Sequence, residues 1–171
     1  MVKKIVLFGS ESTGKTTLAE SLASYYNTVW VPEFAREYLD NERITVVYED
    51  VIPIAQGQLL AENSLLPKAH RFLFCDTNIL ETKVYAEAYF GKCPDWLLQE
   101  IDKRQYDFYL LTNIDLPWVP DALRDRPHQR EAMHELFKNE LLTRKLPVAE
   151  ISGIAEERLL QAIEVLDNFF D

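Results

Sequence analysis

Four shortages bound what this chain of 171 residues can be. Its two cysteines, Cys75 and Cys93, show no C-x-x-C spacing and no nearby histidine cluster, which excludes a disulfide framework and a cysteine-built zinc site. The three histidines, His70, His128 and His134, include no i, i+4 pair, so they offer no metal pair on one helix face. No apolar run approaches the length of a membrane span. Positive charge is also short, 18 Lys and Arg against 28 Asp and Glu, for a net charge of −10. That balance argues against a nucleic-acid backbone as partner, because such binding rests on lysine and arginine displacing counterions. A small anion needs only local positive charge.

What remains is the composition of a soluble globular protein, 47% hydrophobic and 27% charged. The length suits a single domain over residues 1–171 that buries a core without disulfide or metal support. Neither repeat, linker nor low-complexity segment interrupts it. Met1-Val-Lys-Lys runs straight into an apolar stretch, leaving no room for a leader; with both thiols read as reduced, Cys75 inside a strand, the expected compartment is the cytoplasm.

Gly9 to Thr17, GSESTGKTT, is the most informative stretch. It follows an apolar run, Lys4 to Phe8, and leads into residues with helical spacing from Leu18 to Tyr25. The loop matches G-x-x-x-x-G-K-[ST], in which backbone amides and a helix N-terminus cradle phosphates. Gly9, Ser12, Thr13, Gly14, Lys15, Thr16 and Thr17 are therefore the expected ATP-binding residues. Lys15 would bridge phosphate oxygens, and the Thr16 hydroxyl would hold a magnesium ion. Glu11, a carboxylate within an anion-binding loop, has no assigned role.

Further strands are expected at Thr28–Val31, Arg71–Asp76, Phe108–Thr112 and Pro147–Ile151. Helices are expected at Glu33 to about Asn41, Val51 to about Leu66 with Pro53 in the first turn, Ile79 to Tyr89, Asp95 to Lys103, His128 to Thr143 and Glu156 to Phe169. Residues 42–50 carry no helical pattern. Strands alternating with helices after a phosphate loop imply a three-layer α/β/α sandwich, a P-loop nucleoside triphosphate hydrolase fold on a five-stranded parallel sheet. Ligands in such sheets bind at the carboxyl ends of the strands.

The candidate chemistry lies at those ends. Asp76, closing an apolar strand, has the placement of an acid that orients magnesium, with the base that accepts the substrate proton as its alternative role. Glu33, after the second strand, is the rival base or a partner of sugar hydroxyls, with Arg36 one helical turn on. Residues 113–130 form a working segment rich in Pro, Asp and Arg, read as a lid. Arg124 is the first choice, and Arg130 the second, for neutralising charge on a moving phosphoryl group. Asp115, Trp118 and Tyr89 are expected to border the substrate, whereas Tyr85, Tyr89 and Phe90 otherwise read as a core stripe. Arg158, near the Ser152-Gly153 turn, is placed on the adenine side.

Four blocks in order, GSESTGKTTLAE, VPEFAREY, FCDTNILET with AYFGK behind it, and YDFYLLTNIDLPWVPDALR, resemble the ribosylnicotinamide kinase domain of the bacterial NadR family in a stand-alone form. The resemblance extends through most of the chain. It implies a nucleoside-kinase type of P-loop fold and transfer of the ATP γ-phosphate to the 5′-hydroxyl of nicotinamide riboside, giving nicotinamide mononucleotide. The DNA-binding segment and adenylyltransferase domain of the usual relative have no counterpart in the sequence, so transcriptional control and adenylyl transfer are not expected. Ala122 stands where the family pattern often has Gly. A cationic pyridinium would suit Glu33, Asp115 or Asp121 beside Trp118; thiamine, also cationic with a primary hydroxyl, fits the same chemistry. A regulatory P-loop ATPase is the alternative from another class. A GTPase is disfavoured, because Thr112-Asn-Ile-Asp115 lacks the lysine of N-K-x-D.

Overall fold

A computed structural model of the chain describes residues 1–39, 45–119 and 129–171. The central strand β1 (Lys3–Phe8) is fully buried from Ile5 to Phe8. It pairs in parallel with β3 (Phe72–Asp76) on one side and β4 (Phe108–Thr112) on the other, Leu7 opposite Asp76 and Phe8 opposite Leu111. The short β2 (Trp30–Val31) and β5 (Val148–Ile151) complete the order β2-β3-β1-β4-β5. Runs such as Phe72-Leu-Phe-Cys are apolar throughout because helices cover both faces of the sheet. The expected five-stranded parallel sheet is therefore the observed one.

Alternation along each strand divides the core. Ile5, Leu7, Phe72, Phe74, Phe108 and Leu110 pack against Leu18 and Leu22 of α1 (Lys15–Tyr25) and Ala162 and Leu166 of α7 (Ala155–Phe170). On the opposite face Val6, Phe8, Tyr109 and Leu111 meet Leu80 and Val84 of α4 (Ile79–Phe90) and Met133, Phe137 and Leu141 of α6 (Arg130–Thr143). Phe8 sits edge-on to Phe137, ring centroids 5.1 Å apart. Val51, Ala55 and Leu59 of α3 (Val51–Leu65) join Ile79 and Ala86 of α4 and Leu97 of α5 (Asp95–Lys103) in a further cluster. Among the described residues no helix is long and apolar enough to cross a membrane.

Two elements are shorter than expected. Strand β2 begins at Trp30 rather than Thr28, because the Thr28 hydroxyl donates to the Phe72 carbonyl (2.7 Å) and accepts from the His70 amide (2.8 Å) in place of ladder pairing. Helix α2 (Phe34–Tyr38) starts one residue after Glu33 and stops before Leu39, whose backbone leaves helical space; Asn41 lies outside the described residues. Tyr48–Asp50 forms a 3₁₀ turn where no helix is expected, with the Asp50 carboxylate accepting from the Val47 amide (2.9 Å) and the Tyr38 hydroxyl (3.0 Å).

Behind the sheet, Glu62 of α3 is almost wholly buried, 3.7 Å from the Lys4 ammonium and accepting from the Tyr106 hydroxyl (2.9 Å). Burial outweighs the attraction of Lys4 and raises its pKa from 4.5 to about 7. A raised carboxylate favours folding fully below its unfolded pKa, and the benefit is lost as pH rises through 7. Glu62→Gln is therefore expected to gain stability relative to wild type as pH rises from 4.5 to 8, by about 3 kcal/mol in total. Urea unfolding of both proteins across that range measures the difference; parallel pH curves would show that the carboxyl titrates normally.

Candidate active site

The loop between β1 and α1 is shaped by contacts that its sequence pattern does not reveal. Gly9 adopts φ 142°, and a Cβ there would lie 2.9 Å from the Thr112 hydroxyl and 3.0 Å from the Thr112 carbonyl. Only glycine fits so close to the end of β4. Gly14, at φ 77°, precedes the first turn of α1. The Thr13 side chain points inward, donating to the Ser10 carbonyl (2.8 Å) and sharing a hydrogen bond with Thr112 (2.6 Å). Thr13 thus braces the loop, and any contact with phosphate falls to its backbone. The Lys15 ammonium donates to the carbonyls of Gly9 and Ser10, both at 2.9 Å, and lies 3.5 Å from Glu81 Oε1.

Two arginines hold the outer side of the loop. Arg130, at the start of α6, donates to the Ser12 carbonyl (3.0 Å). Arg158 of α7 is 2% exposed and donates to the carbonyls of Thr13, Asn113 (2.9 Å) and Gly153 (2.7 Å) and to the Asp115 carboxylate. Asp115 also accepts from the Gly153 amide (2.6 Å); these two bonds draw its pKa down against the effect of its partial burial. Arg158, expected beside the nucleotide, and Asp115, expected beside the substrate, are engaged with each other in clasping the loop to the strand ends.

On the inner side, Thr16 donates to Asp76 Oδ2 at 2.5 Å. Asp76 is 1% exposed, and its Oδ1 has no hydrogen-bond partner among the described residues. Burial and the nearby charge of Glu33 raise its pKa to about 6, against the opposing pull of Lys15 and Thr16. Glu81, in the first turn of α4, is 3% exposed and is held there by Asn78, whose Oδ1 accepts from the Leu80 (3.2 Å) and Glu81 (3.4 Å) amides. Burial pushes its carboxyl well above the ordinary range, while Lys15 pulls the other way.

Between the loop and helices α2, α3 and α4 lies a cavity of about 200 Å³. Lys15, Thr16 and Thr17 line one end, Glu33 and Arg36 one side, and Glu81, Tyr85, Tyr89 and Phe90 another. Glu33 pairs with Arg36 at 3.5 Å. Helix α2 is fixed here by α3: the Phe34 amide donates to Gln58 Oε1 (2.9 Å), and the Phe34 ring occupies the space above Gly57, where a Cβ would lie 1.9 Å from it.

The structure thus brings together Lys15, Thr16, Glu33, Arg36 and Tyr89 at the cavity, with Asp76 bonded to Thr16 beneath it. Trp118 and Asp115 are not among the lining residues. Arg124, with Asp121, Ala122 and Arg126, lies outside the described residues, as does much of the expected lid. Glu81 and Thr112 escaped the sequence reading. Glu81 is one of several polar residues of α4, so neither had a signal in the sequence.

A glycine loop at the switch point between β3 and β4, with a lysine, a hydroxyl and a strand-end acid converging on it, defines a P-loop phosphate-binding protein of the α/β class. The chain belongs to the AAA domain family, whose model matches residues 4–158. It is similar to the trifunctional NAD biosynthesis/regulator protein NadR of Escherichia coli (strain K12), 31% identical over 127 residues that cover 72% of this chain and 31% of that protein. The Salmonella typhimurium protein of the same name is 30% identical over the same length. The chain spans less than a third of these curated relatives. The crystal structure of a NadR protein in complex with NR matches with a TM-score of 0.81 at 23% identity, over 98% of this chain and 50% of that one. Thymidylate kinase from Candida albicans matches at 0.67 and 19% identity, over 98% and 92% of the two chains. These likenesses establish a P-loop kinase fold.

The clasp carries a direct expectation. Arg158→Ala leaves three carbonyls and a carboxylate without their donor and is expected to cost about 3 kcal/mol of stability. Arg158→Lys should recover less than half of it, because an ammonium cannot reproduce the planar fork. Urea unfolding of the three proteins decides; a loss below about 0.5 kcal/mol for the alanine variant contradicts the clasp.

Proposed function

We propose that the chain is an ATP-dependent small-molecule kinase that transfers the γ-phosphoryl group to the 5′-hydroxyl of nicotinamide riboside, giving nicotinamide mononucleotide. The observation that carries this reading is the shared wall of loop and cavity: Lys15 and Thr16 border the same space as Glu33, Glu81, Tyr85 and Tyr89. A phosphate on the loop would face an acceptor in the cavity. The relatives' names refer to NAD biosynthesis. Of the NadR protein structures, one holds NR and another, with a TM-score of 0.75 at 24% identity, holds NAD and AMP-PNP, an ATP analogue. Net charge of −10 and reduced thiols favour a small-molecule partner and work in the cytoplasm, without nucleic acid or membrane.

The loop amides and the N-terminus of α1 would hold the phosphates, with Lys15 countering their charge. Thr16 and Asp76 fit a magnesium ion, since their oxygens already converge and Asp76 Oδ1 has no other partner among the described residues. Held by Thr16 and Asp76, magnesium would offset the charge developing on the transferred phosphoryl group. Asp76, committed to Thr16, belongs to the metal side; Glu33, paired with Arg36, borders the acceptor. Arg130 acts by holding the Ser12 carbonyl, and Arg124 stays the proposed arginine for the moving phosphoryl group.

The acceptor ring is better served by the cavity wall than by Trp118. Tyr85, Tyr89 and Phe90 supply aromatic surface, while Glu11 and Glu33 supply negative charge suited to a pyridinium. Burial and these carboxylates keep the Tyr85 phenol far above its ordinary pKa, a neutral hydrogen-bond donor.

A coupled assay with ATP, magnesium, nicotinamide riboside, thiamine and other nucleosides tests the assignment. Turnover on nicotinamide riboside is expected. Turnover on another acceptor alone rejects the substrate, and acceptor-independent hydrolysis rejects the kinase in favour of a regulatory ATPase. Lys15→Ala should abolish turnover in a protein that remains folded, because no other described cation lines the phosphate end of the cavity. Asp76→Asn should lower kcat by about 100-fold and weaken the magnesium response; an unchanged magnesium dependence would place the metal elsewhere.

A further inference from the structure

Glu81 has no part in the loop's phosphate chemistry, yet it stands beside it. Its side chain is 4% exposed, it borders the cavity, and Oε1 lies 3.5 Å from the Lys15 ammonium. Its other oxygen, Oε2, is buried without a hydrogen-bond partner among the described residues. A buried carboxylate oxygen without a donor is costly to keep, so the site calls for a group that can supply one. Phosphate oxygens only accept and carry the same sign of charge, so the nucleotide's phosphates cannot serve. A hydroxyl can, and so can a metal-bound water. Proximity to Lys15 places the donor next to the phosphoryl group that Lys15 would contact.

Resting on the kinase reading, we propose that Glu81 is an acceptor-binding carboxylate: it accepts a hydrogen bond from the hydroxyl that receives the phosphoryl group and so orients that oxygen beside Lys15. The surroundings suit a donor that arrives through the cavity. Glu33 shares its charge with Arg36 at 3.5 Å, and Asp76, whose Oδ1 is also unpartnered, is not among the residues lining the cavity, whereas Glu81 is. Helix α4, capped by Asn78 and packed through Leu80 and Val84 on the sheet, holds the carboxylate on a rigid element. Glu81 is then selective for acceptors with a hydroxyl at this point, through a bond that an analogue lacking it would leave unmade.

The test compares nicotinamide riboside with its 5′-deoxy analogue, bound in the presence of magnesium and AMP-PNP, for wild type, Glu81→Gln and Glu81→Ala. A hydrogen bond to a charged group predicts that wild type prefers the hydroxylated compound by about 10- to 100-fold. The preference should shrink to within about threefold in Glu81→Ala and take an intermediate value in Glu81→Gln, which keeps volume and one acceptor. Affinity for magnesium and AMP-PNP should change by less than about threefold. The wild-type comparison stands even if the alanine variant fails to fold. Persistence of the preference in both variants overturns the proposal. So does a parallel loss of nucleotide affinity, which would make Glu81 only an anchor for Lys15, or a selective change in magnesium affinity, which would make metal-bound water its donor. Wild type that neither binds nor phosphorylates nicotinamide riboside overturns the substrate assignment on which this step rests; wild type that turns it over without the hydroxyl preference overturns this step alone.

Discussion

One cation set among carboxylates governs this molecule. Lys15 is nearly buried, bound to two loop carbonyls, and it faces Glu81 at 3.5 Å with Asp76 and Glu33 close enough to influence the same field. Three acids around one lysine leave negative charge in excess, which is why burial and mutual repulsion raise the pKa of Asp76 and Glu81 despite the lysine. A triphosphate alone would worsen that imbalance. A magnesium ion at Thr16 and Asp76 would offset part of that excess, so metal, nucleotide and loop are best regarded as one electrostatic unit.

The rest of the fold holds that unit in place from several directions. β1 and β4 bring Gly9 against Thr112, α7 sends Arg158 across to the Thr13 carbonyl, and α6 sends Arg130 to Ser12. On the acceptor side, Gly57 and Gln58 of α3 seat Phe34 and thereby set where Glu33 and Arg36 stand. Each of these contacts limits how far the loop and α2 can drift apart, and positioning is most of what phosphoryl transfer asks of a protein.

The architecture was largely legible in the sequence because its signals are local. Continuous apolar runs mark β1, β3 and β4, and the glycines and lysine of residues 9–15 mark the loop whatever surrounds them. What escaped depends on residues far apart in the chain. Arg158 reads as a basic residue near a turn, and only packing carries its guanidinium to Thr13, 145 positions away. Glu81 looks like one of several polar residues of α4, beside Thr82 and Lys83, until the first turn of that helix is set beside Lys15. Trp118 and Tyr89 drew attention for their chemistry, whereas Tyr85 and Phe90 read only as a core stripe; the structure sets Tyr85, Tyr89 and Phe90 on the cavity because the inner face of α4 closes it. β2 was overextended for a related reason, since Thr28 is satisfied by its side chain rather than by the sheet.

The central claim is that loop and cavity are the two halves of one transfer site. A crystal structure of the chain with magnesium, AMP-PNP and nicotinamide riboside tests it most directly. The account predicts the Lys15 ammonium within hydrogen-bond distance of a γ-phosphate oxygen, and the riboside's 5′-oxygen in the cavity about 3–3.5 Å from the γ-phosphorus, in line with the bond to be broken. A riboside bound outside the cavity, or held with its 5′-oxygen turned away from the γ-phosphate, contradicts it.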